Sequence, residues 1–137
     1  MSITSLKSLV VSHKKAEIEF PGCPDFKVEL NYLSRETIQK LRKKATSVTY
    51  KNRQPVETVD DDLFLQLYSA ACVTNWTGLK WAYVETLAPI DTSSIHDLNE
   101  ELAFSPENAL ELMKTSVNFD QFVSETVTDL GNFTKNS

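Results

Sequence analysis

The sequence predicts a mainly α (α+β) fold, namely a helical domain of about five helices with an N-terminal β-hairpin. Polar and apolar residues alternate over about residues 16–31, as they do in half-buried strands. Beyond residue 34, apolar residues recur mostly at the spacing of a helix face. The chain has 137 residues and no internal repeat, so we interpret 1–137 as one domain.

The predicted hairpin consists of two alternating runs and a turn. Ala16–Phe20 and Phe26–Leu30 each alternate polar with apolar residues. Pro21–Asp25, between them, is made of residue types that favour tight turns. This order predicts two antiparallel strands that face a core on one side.

Five helices are predicted after the hairpin. Capping residues and apolar stripes place them at about residues 35–45, 60–73, 76–87, 106–115 and 119–130. Ser34 is the expected N-cap of the first of them. The polar stretch Thr46–Val59, which contains Pro55, is predicted to be a mobile loop between the first two helices.

The second predicted helix begins at an acidic cap. Asp60–Asp62 suit a helix N-terminus because the first N–H groups of a helix are unpaired and its dipole is positive there. A metal site is the less favoured interpretation, since hard cations need oxygen ligands that converge from a folded loop. Leu63, Leu67 and Ala70 then share one face of a broad apolar arc, which predicts a helix at the centre of the core.

The third predicted helix opens at Asn75 or Thr77. Trp76, Leu79, Tyr83 and Leu87 follow a helical repeat, and Pro89 is expected to end it.

The last two helices are predicted from their caps. Ser105–Glu107 places an N-cap serine, a first-position proline and an acid in the preferred order. For the final helix, Asn118 is the expected N-cap with Gln121 three residues later, and Gly131 is the expected end.

Composition is that of an ordinary globular protein, with 41% hydrophobic and 24% charged residues. No apolar run approaches the roughly 18 residues of a membrane helix, and no secretory signal opens the chain. We therefore expect a cytoplasmic protein. Cys23 and Cys72 have no second Cys or His at metal-ligand spacing, so they are expected to be reduced thiols and no cofactor is predicted.

Charge is divided unevenly along the chain. Residues 1–53 contain eleven Lys or Arg and five acids, net +6, whereas residues 54–137 contain three and fourteen, net −11. The basic region Lys40 to Arg53 could meet nucleic-acid phosphates. No nucleic-acid motif or interleaved aromatics accompany it, and cations also suit the C-terminal end of a helix. A solvated helix end is therefore the favoured interpretation.

Residues typical of catalysis are scarce. His13 and His96 are 83 positions apart and neither lies beside a nucleophile motif. The chain has three glycines, and none stands in a phosphate-binding arrangement. The sequence therefore predicts binding or assembly, not catalysis.

Several blocks of sequence stand in a characteristic order and spacing, namely Phe26–Leu30, Tyr32–Glu36, Asp61–Phe64, Trp76–Lys80, Phe104–Leu110 and Phe119–Glu125, with the ending Asp129–Thr134. Together they closely resemble the tail assembly chaperones of long-tailed, non-contractile bacteriophages. The resemblance covers most of the chain.

The resemblance implies a non-enzymatic factor of the host cell cytoplasm that is absent from the finished virion. It would bind the tape measure protein and keep it soluble while tube subunits polymerise around it. The resemblance also implies two products from one start by programmed frameshifting. This chain would be the shorter product, and the longer one would recruit the tail tube protein. Thr134–Asn136 can be encoded as ACA AAA AAC, which contains a slippery heptamer of the A AAA AAC type.

Exposed aromatic residues are the expected contacts with such a client, because they dominate interface energetics. For the phenylalanines of the last helix, packing in the protein's own core is the favoured alternative. Several copies could bind one long client, so a homo-oligomer remains open, and no membrane or nucleic acid is expected as a partner. The alternative function is a generic adaptor or nucleic-acid-associated protein that uses the Lys40 to Arg53 region. The candidate partner-binding residues are Trp76, Trp81, Phe119, Phe122 and Phe133.

Overall fold

A computed structural model describes residues 5–9 and 13–134. The fold is mixed α+β, with more strand than the sequence predicts, so "mainly α" was only partly right. In chain order the elements are α1 (Leu6–Leu9), β1 (His13–Glu19), β2 (Lys27–Leu33), α2 (Arg35–Lys44), β3 (Thr46–Lys51), β4 (Gln54–Val59), α3 (Asp61–Cys72), β5 (Val73–Thr77), α4 (Trp81–Leu87), α5 (Pro106–Thr115), α6 (Val117–Val127) and a 3-10 turn, η1 (Leu130–Phe133).

The predicted N-terminal hairpin is confirmed. β1 and β2 pair antiparallel from His13 opposite Leu33 to Glu19 opposite Lys27. Val28 and Leu30 of β2 are fully buried, whereas residues 14–19 of β1 are partly or fully exposed. The alternation in the sequence therefore reports the two faces of this sheet correctly.

A third strand, β5, joins this sheet where the sequence predicts helix. β5 pairs antiparallel with β2, so the order is β1-β2-β5. A bulge lies between Glu29 and Leu30, and the Thr74 hydroxyl donates to the Glu29 carboxylate at 2.7 Å. Val73 and Thr74 are β-branched, which favours a strand. Pairing with β2 gives hydrogen-bond partners to backbone N–H and C=O groups that lack them where a helix ends. Trp76 is consequently a strand residue, and the third predicted helix begins at Trp81.

α3 begins where it was predicted, and Asp60 caps it by accepting from the Leu63 N–H at 3.0 Å. Its orientation differs from the prediction. Ser69 and Cys72 are buried, while Leu63 and Ala70 are exposed. The helix lies at the edge of the core because its neighbours, α2, α5, β2 and β5, cover one side of it.

The predicted mobile loop at 46–59 is wrong. β3 and β4 form an antiparallel hairpin with Lys51 opposite Gln54. The two turn residues, Asn52 and Arg53, both have positive φ (54° and 65°), as a type I′ turn requires. Period-two burial could not reveal this hairpin, because both of its faces are exposed.

Ser34 and Ser105 cap α2 and α5 as predicted. The cap of α6 is two residues earlier than predicted. Ser116 accepts from the Phe119 N–H at 3.1 Å, so α6 starts at Val117 and Asn118 is not its cap. The helix also ends earlier, at Val127, because Asp129 accepts from the Gly131 N–H and starts η1 instead.

An aromatic cluster fills the space between the sheet and α6. Phe26 and Phe119 are both fully buried, and their ring centroids lie 6.5 Å apart. Trp76 meets both rings edge-on and also contacts Phe104 at 5.1 Å. These geometries are the ones that aromatic rings prefer.

None of the helices in the described residues has the length and apolar character needed to span a bilayer.

Candidate partner-binding surfaces

Three of the five aromatic candidates lie inside the protein. Trp76 is 4% exposed, Phe119 is 0% exposed and Phe133 is 4% exposed. The Trp76 indole donates to the Leu102 carbonyl at 2.9 Å, and Phe133 packs edge-on against Tyr32. In this conformation these side chains form the core and offer a partner no surface, so Trp81 and Phe122 remain as the accessible candidates.

Trp81 forms one wall of an apolar groove between α4 and α5. The groove encloses about 340 Å³, space for a few side chains of a bound segment. Three of its lining residues are buried, namely Val84, Ala88 and Leu112, and the others are partly or fully exposed. The lining residues are Trp81, Val84, Ala88, Pro89, Ile90, Leu102, Asn108, Glu111, Leu112 and Thr115.

The loop at 88–105 positions this groove by capping α4. The Trp81 N–H donates to the Glu100 carbonyl and the Ala82 N–H to the Leu98 carbonyl, both at 2.9 Å. Lys80, the N-cap, makes no side-chain cap bond, so these carbonyls replace one. Leu102 then donates to the Leu79 carbonyl at 2.7 Å. The loop is therefore attached to both sides of the α4 start, which holds the groove wall in place.

Phe122 lies at a shallower depression. Its ring meets Phe20 edge-on, with centroids 4.8 Å apart. Asn118, Gln121 and Glu125 surround it, and Gln121 donates to Glu125 at 3.1 Å. This rim is more polar than the groove at Trp81, so it is the weaker candidate for an apolar client.

The basic region Lys40 to Arg53 covers the end of α2 and the β3–β4 hairpin. Lys40 pairs with Glu36 at 3.5 Å, and the Arg42 guanidinium lies 4.9 Å from the centre of the Phe64 ring. Lys43, Lys44, Lys51 and Arg53 have no ion pair with any residue that the structure describes. Lys40 and Arg42 therefore contact other side chains of this protein, whereas the other four cations face solvent.

The most strongly perturbed titratable groups lie between α3 and α6. Burial raises the pKa of the Cys72 thiol to about 12 and that of the Tyr68 hydroxyl to about 12. Tyr68 donates to Ser124 at 3.4 Å, and Ser124 lies 3.5 Å from the Asp120 carboxylate. A thiol held protonated is a poor nucleophile and metal ligand, so we interpret this network as structural. In the described part of the chain, no three His, Cys, Asp or Glu residues converge as a metal site would require.

Comparison with known families places the chain. The model of a family described as "YdaY prophage protein" matches residues 23–137. The chain belongs to this family. Among curated proteins and among solved structures, nothing matches the chain at a significant level. This YdaY family member is therefore a phage-associated protein.

Two features of this family member's surface were not predicted from its sequence. The groove depends on the loop at 88–105 returning to α4, which no local pattern indicates. The β3–β4 hairpin did leave a signal, since Asn52-Arg53 separates two runs rich in β-branched residues.

Proposed function

We propose that this prophage protein is a tail assembly chaperone that binds the tape measure protein and keeps it soluble for tail tube polymerisation. It acts by binding in the host cytoplasm and does not remain in the mature virion. Membership of a prophage family and the sequence resemblance to tail assembly chaperones support this function. The observation that carries it is the apolar groove at Trp81.

The groove suits one face of an amphipathic client helix. A long helical client exposes apolar stripes until the tube encloses it, and a groove with an apolar floor can shield such a stripe. Val84, Ala88 and Leu112 are buried beneath the groove, while Trp81 is partly exposed at its side. A large, rigid aromatic at the edge of an apolar pocket is a typical interface anchor.

The acidic residues of this protein would attract a client with a basic segment. Residues 54–137 carry net −11, and Glu111 on the groove rim is exposed. A basic client segment would therefore be attracted, and its association rate should fall as salt rises. A rate independent of salt would contradict this steering.

The direct test is coexpression with the tape measure protein of the same prophage. The chaperone should raise the soluble fraction of the client and elute with it in gel filtration. Trp81→Ala should lower the soluble fraction at least about threefold, since anchor residues carry most interface energy. Val117→Ala is the matched control, because Val117 is 79% exposed and lies outside the groove lining. No gain in client solubility with the unaltered protein would refute the proposal.

Frameshifting is tested separately. A slippery heptamer at codons 134–136 and a longer product with the same start would link the protein to the tail tube protein. Mass spectrometry of phage-producing cells should detect peptides that join this chain to a second segment. Their absence would leave a one-product chaperone and remove the tube protein from its partners.

The second candidate, an adaptor or nucleic-acid-associated protein, rests on the four solvent-facing cations of the Lys40 to Arg53 region. It predicts binding to DNA with a steep decrease in affinity as salt rises. The chaperone proposal predicts no such binding.

A further inference from the structure

The β3–β4 hairpin projects from the fold with almost no cover. Every residue from 47 to 58 is exposed, and at its foot the Asp60 N–H donates to the Ala45 carbonyl at 2.8 Å. Tyr50 is 76% exposed and Val48 is 52% exposed. An isolated two-stranded hairpin is marginally stable in water, so exposed apolar side chains on such a hairpin indicate a contact surface.

One backbone edge of this hairpin is open and the other is blocked. Lys51 and Gln54 close the two-residue turn as a hydrogen-bonded pair. Because such pairs alternate with non-hydrogen-bonded ones, the N–H and C=O groups of Val48 and Tyr50 point away from β4. The hydrogen bond from the Asp60 N–H to the Ala45 carbonyl at the foot of the hairpin fits this alternation, because Ala45 lies an even number of residues before Lys51. On β4, Pro55 occupies one of the outward positions, and proline there removes the donor that a new strand would need.

The two faces of the hairpin differ in chemistry. On β3, the strand that a new strand would contact, Val48 and Tyr50 share one face and Thr49 and Lys51 share the other. On β4, Pro55 and Glu57 lie on the Tyr50 face, and Val56 lies on the Lys51 face. A strand added beside β3 would place alternate side chains on these two faces. Apolar residues would suit the Tyr50 face, and acidic residues would suit the Lys51 face.

The turn carries a residue that local geometry does not favour. Arg53 has a φ of +65°, at a position of the type I′ turn where glycine is the usual residue. Asn52, before it, is well suited to its own positive φ. The exposed guanidinium of Arg53 is therefore available for contact at the tip of the hairpin.

We propose that β3 is a docking edge for an extended protein segment that alternates apolar and acidic residues and adds to the hairpin as a third strand. Backbone hydrogen bonds would come from Val48 and Tyr50, and charge complementarity from Lys51 and Arg53. Pairing with β3 of a second copy would bring no acid to Lys51, because β3 itself contains none. The surface is separate from the Trp81 groove, and the inference does not rest on chaperone activity.

The probe is a fluorescein-labelled peptide of about ten residues that alternates valine and glutamate, roughly the length of a long strand. Fluorescence anisotropy with the unaltered protein should show saturable binding. The same peptide with alternate backbone amides N-methylated, so that its donors facing β3 are lost, should bind at least about tenfold more weakly. This comparison tests the edge without altering the protein.

Two proline variants distinguish the edges. Val48→Pro removes an outward N–H of β3 and leaves the hydrogen bonds of the hairpin intact, so peptide affinity should fall at least about tenfold. Glu57→Pro is the matched control, since Glu57 is the register partner of Val48 on the edge that Pro55 already blocks. Its affinity should equal that of the unaltered protein or exceed it, because an acid is removed.

Arg53→Gly separates folding from binding. Glycine relieves the positive φ, so the thermal midpoint should rise or stay the same. Peptide affinity should fall and its salt dependence should become shallower, because a cation is lost. The proposal would be overturned if the two proline variants bound the peptide with equal affinity. It would also be overturned if the N-methylated peptide bound as tightly as the unmodified peptide. Tighter binding of single-stranded DNA than of the peptide, unaffected by Val48→Pro, would overturn it in favour of a nucleic-acid surface.

Discussion

Gly78 lies directly against the backbone of Asp25, so that a Cβ on Gly78 would overlap the Asp25 carbonyl oxygen and lie 2.8 Å from its carbonyl carbon. Both residues have positive φ, 74° and 70°. The contact joins the turn between β5 and α4 to the turn of the β1–β2 hairpin. Tyr83 of α4 makes a second connection by donating to the Pro24 carbonyl at 2.9 Å. The hairpin turn therefore positions the start of α4 and, with it, the wall of the groove.

This contact predicts that Gly78→Ala is strongly destabilising. The added Cβ meets rigid backbone and the left-handed conformation itself is unfavourable, so a loss of at least about 2 kcal/mol in the free energy of unfolding is expected. Gly22→Ala is the control, because Gly22 has a φ of 85° with nothing within 4 Å of an added Cβ. It should cost only about 1 kcal/mol. Urea unfolding of both variants would show the difference, and equal losses would contradict the contact.

Trp76 should matter to stability far more than Trp81. Trp76→Phe removes the indole that donates to the Leu102 carbonyl and leaves space in the aromatic cluster, so the free energy of unfolding should fall by about 2–3 kcal/mol. Trp81→Phe keeps an aromatic ring in a partly exposed position and should change it by less than about 0.5 kcal/mol. Chemical denaturation followed by far-UV circular dichroism measures both. A similar cost for the two variants would contradict the placement of Trp76 on β5.

The start of α6 can be tested at its cap. Ser116→Ala removes the acceptor of the Phe119 N–H and should cost about 1 kcal/mol. Asn118→Ala, at the cap that the sequence favoured, should cost less than about 0.5 kcal/mol because Asn118 is exposed and its side chain does not cap the helix. Thermal unfolding of the two variants would decide between the caps, with the reverse order favouring Asn118.

Stability should fall in alkaline solution through Cys72. Burial raises the pKa of its thiol from 9.0 to about 12, so above pH 9 the unfolded chain loses this proton while the folded protein keeps it. The folded state then binds more protons than the unfolded state, and the free energy of unfolding decreases by up to about 1.4 kcal/mol per pH unit between pH 9 and 12.

The measurement is urea unfolding at pH 8, 9 and 10. Cys72→Ala should show a shallower decrease than the unaltered protein, whatever its stability at pH 8. Both proteins retain Cys23, so any contribution from that thiol is common to both. Equal pH dependence of the two would contradict the role of Cys72.

Local signals predicted what local chemistry decides. Ser34, Asp60 and Ser105 cap their helices because a side-chain oxygen near free N–H groups acts over three residues. The β1–β2 hairpin followed from alternation and a turn. The prediction of one helix from Trp76 to Leu87 was wrong at its start. The same apolar spacing also fits a strand, a turn and a helix in succession. The sequence identified the candidate aromatic residues but not their burial. Trp76, Phe119 and Phe133 are buried, whereas Trp81 and Phe122 are partly exposed.

The sequence by itself determined the helix starts at Ser34, Asp60 and Ser105, the hairpin that carries β1 and β2, and the separation of charge into a basic and an acidic part. Only the tertiary structure decided that residues 73–77 join the sheet, that α3 buries Ser69 and Cys72 in place of Leu63, and that the loop at 88–105 completes the groove at Trp81. The physical reason is range. Caps and turns are stabilised by bonds within a few residues, whereas strand pairing, burial and groove shape depend on neighbours distant in sequence, and these exist only once the chain has folded.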